Sequence, residues 1–193
     1  MSRSSTLVVA VILVMLLAGG TAAVVLAQGS GSSRATPTPP KQPTVDEFAA
    51  SLWQFINREK TPWRNWPSTA AEPVAGVESP HGALGKAYFN SIATEGWKSP
   101  PHGAILVREE LDEDGKKTRG VIVMYRVKAA APKTGDWYWL AFQPNGKLAR
   151  TSAKEGNKPI AGQVTSCIAC HGKAAGHDFV FSNDKAPTTG TDK

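Results

Sequence analysis

The chain has 193 residues, a formal net charge of +6 and a pI near 9.4. The positive charges are scattered along the sequence and not gathered in one helix or run, which describes a solvated surface with at most a mild pull on acidic partners or anionic solutes. Once the terminal segments are set aside, the length leaves room for one domain.

Residues 7–27 are almost continuously apolar, carry no charge and follow Arg3 in a short polar head. A cleaved signal peptide has an apolar core of about 7–15 residues, whereas a membrane span needs about 20. The run is near the longer figure, although Gly19-Gly20-Thr21 interrupts it and Val25-Leu26-Ala27 offers small residues to a signal peptidase. Residues 1–27 therefore read as a signal peptide or an N-terminal membrane anchor, the length favouring the anchor. Either one exports the remainder to the periplasm, where nucleic acid is not an expected partner. Residues 28–44 are rich in Gly and Ser, then in Pro, with Pro37, Pro39, Pro40 and Pro43 among Thr, Lys and Gln. Such a stretch buries too little apolar surface to fold and reads as a semi-extended spacer.

The folded domain is expected over 45–185, with a frayed polar tail over 186–193. Thr44 or Asp46 can cap a first helix, in which Val45, Phe48, Ala49, Leu52, Trp53 and Ile56 recur at helical spacing. Arg58 and Lys60 would suit its C-terminal dipole. Trp63 and Trp66 follow in an irregular stretch, where large aromatics more simply close a core than touch a ligand. From His81 onward the pattern changes to strands, beginning with a short run at 87–89. Residues 103–111 and 120–128 flank an Asp-Gly turn and predict a hairpin. Residues 136–142 alternate aromatic and smaller side chains, and Pro144-Asn145-Gly146 turns them into a fifth strand over 147–151. The expected fold class is α+β: a mainly antiparallel sheet with one helix before it and one after it.

That last helix would carry Cys167-Ile168-Ala169-Cys170-His171, which contains both cysteines of the chain. C-x-x-C-H is the attachment signature of c-type haem. Each thiol adds across a vinyl group to give a thioether, and the adjacent His becomes an axial iron ligand. A disulfide across two intervening residues is strained. A thioredoxin-like pair has no need of the His, and a zinc site needs a further ligand that His177 alone does not supply. Cys167 and Cys170 are thus read as the covalent attachment of one haem c, and His171 as its iron ligand. An ordinary small cytochrome c has its motif near the N-terminus and a Met ligand downstream, but no Met follows His171. A four-helix cytochrome c′ would not contain three β-patterned runs.

The sequence resembles the cytochrome P-460 family, which includes cytochrome c′-beta. The resemblance covers about residues 74–181. It rests on His81-Gly82, Ala87-Tyr88-Phe89-Asn90, Gly103-Ala104-Ile105-Leu106-Val107, Asp136-Trp137, and Cys167 to His171 with Asp178-Phe179-Val180-Phe181 behind it. It implies an antiparallel sheet with a few helices, a homodimer formed through the sheet, and a five-coordinate haem that oxidises hydroxylamine or binds gases such as nitric oxide. The family's hydroxylamine oxidisers carry a lysine cross-linked to the haem ring, placed directly before a Glu at the end of the second strand. Here Arg108 stands before Glu109. Ile122 falls where those members have an acidic distal residue. Both departures count against hydroxylamine oxidation by the cross-linked mechanism.

Arg108 then becomes a candidate for the distal pocket, since a guanidinium presents five fixed donors to an anionic ligand. Its competing role is an ion pair at the sheet surface. His81 and His102 both follow Pro in Pro-His-Gly turns and read first as turn residues, with iron ligation as the alternative. Met124 reads as a core residue, Lys86 and Lys98 as solvated surface, and His177 as too near His171 to reach the opposite haem face. The expected function is an exported mono-haem c protein that binds or turns over a small nitrogen or oxygen species such as hydroxylamine, nitric oxide or peroxide, with a redox partner protein. The alternative is a periplasmic electron-transfer cytochrome whose haem has two strong protein ligands.

Overall fold

The computed structural model describes residues 42–58, 60–69, 74–75, 81, 84–182 and 185–189. The expected signal or anchor and residues 28–41 of the spacer lie outside the described residues. Among the described residues no helix is long and apolar enough to cross a membrane.

Helix α1 spans Val45–Ile56 and opens with a reciprocal cap. Thr44 Oγ1 accepts from the Glu47 amide at 3.2 Å, and Glu47 Oε2 accepts from the Thr44 amide at 2.7 Å. Two of the orphan amides of the first turn are satisfied this way. Thr44 is therefore the cap. Asp46 instead takes both oxygens to Arg150 Nη2, at 2.8 and 2.7 Å. Arg58 does not serve the helix dipole as expected. The helix is closed at Asn57, and the Arg58 guanidinium lies 4.0 Å over the Phe55 ring.

Six strands in sequence order form one antiparallel sheet: β1 Val74–Ala75, β2 Leu84–Phe89, β3 Ile105–Leu111, β4 Thr118–Arg126, β5 Trp137–Phe142 and β6 Ala161–Gly162. The short helix α2, Ser91–Glu95, follows β2, and α3, Thr165–His171, follows β6. The α+β class and the hairpin between β3 and β4 agree with the sequence pattern. At the turn, Asp112 Oδ1 accepts from the amides of Lys116 and Lys117 at 2.8 and 3.1 Å.

The strand expected over 147–151 does not form. Leu148 and Arg150 make only single bridges, to Phe142 and Pro159. Backbone bonds from Ala149 to Ala141, from Ala141 to Ile160 and from Ile160 to Ala149 split the pairing between two partners, so no continuous ladder runs along either. The edge beside β5 belongs to β6. Thr188, within the expected tail, exchanges two backbone bonds with Ser68, at 2.7 and 2.8 Å.

Side chains alternate across a strand, so the register sorts the core into two layers. Tyr88, Ile105, Val107, Val121, Val123, Leu140 and Phe142 meet Ala49, Leu52 and Ile56 of α1 on one face. Trp63 joins this layer fully buried, its ring 5.1 Å from Tyr88 in an edge contact, so it closes the core as its composition implied. The other face collects Phe89, Leu106, Met124, Trp137 and Trp139 with Ala93, Ala104 and Val180. Helix α3 packs on this second face.

Candidate haem-binding site

In α3, Cys167, Cys170 and His171 recur at i, i+3 and i+4, which puts all three on one helix face. Val164, Cys167 and Ile168 pack on the second sheet face. The helix is short and has no side-chain cap, so tertiary contacts hold its start. Gln163 Nε2 donates to the Trp137 carbonyl at 2.6 Å, and Gln163 Oε1 accepts from Thr134 Oγ1 at 2.8 Å. No disulfide joins the two cysteines. Burial, first of all, pushes the Cys167 thiol up from its ordinary value.

His171 Nδ1 donates to the Phe179 carbonyl at 2.7 Å. A carbonyl only accepts, so Nδ1 carries the proton and Nε2 keeps its lone pair, the tautomer an iron ligand needs. Burial lowers the pKa of His171. The Phe179 carbonyl opposes that shift, while the neighbouring His81 and Arg108 add to it. The imidazole is accordingly neutral near pH 7.

The Phe179 carbonyl is held in place by an unusual turn. Asp178 and Phe179 both have left-handed backbone, with φ of 59° and 64°, a conformation that costs non-glycine residues of order 1–3 kcal/mol each. Three side chains offset that cost. Trp137 Nε1 donates to the Asp178 carbonyl at 2.8 Å, Ser99 Oγ donates to Asp178 Oδ2 at 3.3 Å, and Arg126 Nη1 forms an ion pair with the same oxygen. The Asp-Phe that follows the Cys-x-x-Cys-His motif in the sequence thus holds the carbonyl that fixes the His171 tautomer. Its spacing from the motif was visible in the sequence, but this role was not.

Arg108 lies on the same sheet face as Cys167 and Trp139. Its register partners are Ala87 on β2 and Ile122 on β4, neither of which offers it a charge. The nearby carboxylates are engaged elsewhere. Glu109 points to the α1 face and accepts from Arg64 Nη2 at 2.7 Å and Thr118 Oγ1 at 2.6 Å. Glu110 Oε1 lies 3.0 Å from His81 Nδ1. The surface ion pair considered for Arg108 does not form among the described residues. Its Nε and Nη2 are buried without a hydrogen-bond partner there, as is Trp139 Nε1. Burial works against the Arg108 charge and Glu110 supports it. A guanidinium stays cationic under such a shift.

Space has been left for these charged groups. A Cβ on Gly85 would lie 2.5 Å from Arg108 Nη2, and one on Gly120 would run into Glu110 Oε2. Both glycines pair with Glu110 in the sheet.

The other candidate residues separate clearly. His102 Nε2 pairs with Asp136 Oδ2 at 3.0 Å, in the turn before β5. His177 is exposed, and Met124 is a buried core residue. Lys86 alternates to the α1 face, its Nζ 5.2 Å from the centre of the Tyr88 ring, and Lys98 Nζ lies 5.3 Å from that of Trp97. His81 was read as a turn residue, yet its ring centre is 6.4 Å from that of His171.

Haem carries a broad apolar ring and two carboxylates. Buried donors without acceptors, on the face that carries Cys167, suit the carboxylates or an anionic iron ligand. Phe181 is 56% exposed although its ring is 5.4 Å from His171, so it offers apolar surface for such a ring to cover. The residues present fit a haem group. A sequence model of the cytochrome P460 family matches residues 60–182, and the chain belongs to that family. No curated protein matches the chain.

Proposed function

We propose that the protein carries one covalent haem c and binds or turns over a small nitrogen or oxygen species, such as nitric oxide, peroxide or hydroxylamine, on the haem face opposite His171. Cys167 and Cys170 would hold the haem through thioethers, and His171 Nε2 would ligate its iron. Bound there, the haem iron supplies a coordination position for the small ligand and one-electron chemistry.

The chain's own residues do the remaining work. The Phe179 carbonyl holds the His171 tautomer and strengthens its donor nitrogen. Arg108 offers two buried donor nitrogens, Nε and Nη2, to negative charge on a bound ligand. Phe89, Leu106, Met124 and the tryptophans keep water from that face, which strengthens the interaction. The observation that carries the reading is the Arg108 guanidinium, whose Nε and Nη2 are buried without an acceptor among the described residues, on the face that carries the Cys-x-x-Cys-His motif. Arg108 cannot form the amine link of the family's cross-linked members, so ligand binding is favoured over hydroxylamine oxidation by that route.

The apolar run at 7–27 and the site of haem attachment both support an exported, periplasmic protein, tethered if the segment is an anchor. The family resemblance supports a homodimer formed through the sheet, and one-electron chemistry at a haem would call for a redox partner protein. A second reading, an electron carrier with two protein ligands on the iron, is favoured by the distance between His81 and His171.

The test is covalent retention. Protein from a haem-maturing host should keep its haem on a denaturing gel, and the double variant Cys167→Ala, Cys170→Ala should lose it. Haem kept by the double variant would refute the attachment.

A further inference from the structure

The ring centres of His81 and His171 are 6.4 Å apart, with an interplanar angle of 57°. A metal–imidazole bond is about 2 Å, and C–N bonds of about 1.33 Å put each nitrogen roughly 1.1 Å from its ring centre, so two imidazoles on opposite sides of one metal have centres about 6.3 Å apart. For two Nε2 atoms turned to one metal, the angle between the ring planes would be a rotation about their common axis and would leave that distance unchanged. The two rings therefore stand at the separation one iron imposes.

Each ring is also anchored on the same nitrogen. His171 Nδ1 is held by the Phe179 carbonyl at 2.7 Å and His81 Nδ1 by Glu110 at 3.0 Å. Coordination by either would use Nε2, across the ring from the anchor. An acceptor on Nδ1 is the usual second shell of a metal-bound histidine, fixing the tautomer and raising the basicity of the other nitrogen. Glu110 can reach His81 because Gly85 and Gly120 flank it in the sheet, and a Cβ on Gly120 would occupy the place of its Oε2.

We propose that His81 is the second axial ligand of the resting protein, and that a small ligand enters by displacing it. This rests on the haem site proposed above. The entry step would be a ligand exchange, in which His81 Nε2 would give up its place on the iron to the incoming ligand, with no electron or proton moved. Glu110 is a positioning residue that holds His81 at hand for rebinding. Such a site is self-closing. Its apparent affinity is the intrinsic affinity multiplied by the fraction of protein with His81 released.

The test uses the full-length haem-loaded protein and reads the iron's spin state by absorption and electron paramagnetic resonance, ferric and ferrous. The wild type should be low-spin and six-coordinate in both states. His81→Ala should be high-spin and five-coordinate when ferrous, and added imidazole should restore the low-spin spectrum, which a purely structural role for His81 would not produce. Azide binding to the ferric variant should tighten by about tenfold or more if the released fraction in wild type is about 10% or less. A high-spin wild type overturns the proposal while leaving the haem site intact, and needs no variant to fold. A low-spin spectrum that survives in His81→Ala also overturns it, because another residue would then be the ligand. A wild type without covalent haem overturns this proposal and the haem site together.

Discussion

Replacing Arg108 by leucine tests what the buried guanidinium is for. The side chain has two buried nitrogens without partners among the described residues, Nε and Nη2, and its sheet neighbours Ala87 and Ile122 are apolar. Leucine therefore suits the cavity sterically and strands no carboxylate, since Glu110 stays with His81 and Glu109 with Arg64. An anion on the iron can accept at least one bond from the cation, and a hydrogen bond to a charged group is worth about 1.5–3 kcal/mol. At about 1.4 kcal/mol per tenfold, Arg108→Leu should weaken azide or nitrite binding to the ferric protein roughly ten- to a hundredfold. Carbon monoxide is neutral and binds the ferrous form, so its affinity should change little. The assay is an equilibrium titration followed in the Soret band of wild type and variant under the same salt. Equal azide affinities would refute the reasoning, because the guanidinium would then face something other than the bound ligand.

Two further outcomes follow from the same geometry. Intact mass should equal the processed polypeptide plus one haem, and peptide mapping should find haem only on the fragment with Cys167 and Cys170. Lys86 is turned to the α1 face, and a haem-bearing peptide containing Lys86 or Lys98 would contradict the placement. Tyr88 should titrate last or nearly so among the three tyrosines, because burial, then the charge of Glu109, pushes its phenol up to about 12. A folded pKa raised above the unfolded value of about 10 contributes stability that is complete below pH 10 and is lost as the pH rises to about 12. Ultraviolet titration of tyrosinate beside a denaturant series at pH 9 and 11 checks both parts, and a Tyr88 that ionises near pH 10 would contradict them.

The parts legible in the sequence were those written in local spacing. C-x-x-C-H names its chemistry over five residues, and the capped apolar stripe of α1 and the Asp-Gly hairpin are likewise short-range patterns. Alternation along β3 already put Leu106, Arg108 and Glu110 on one face. The strand expected over 147–151 failed for a reason no local pattern carries, namely that Ala141 donates to Ile160 and accepts from Ala149. Propensity describes what a segment can form; a ladder also needs one continuous partner.

The sequence by itself determined the Cys-x-x-Cys-His motif, the capped first helix and the hairpin of β3 and β4, since each is a matter of residue identity and near-neighbour spacing, whereas setting Arg108 against a lysine took the family resemblance. Tertiary structure decided which charges are satisfied and which are left over. Whether Arg108 is a surface ion pair or a buried cation depends on Arg64 claiming Glu109 and on His81 claiming Glu110, contacts that span 45 and 29 residues. The approach of His81 to His171 is of the same kind. A Pro-His-Gly sequence carries no sign of it, because the distance is set by where His81, ahead of β2, and the end of α3 meet in the fold.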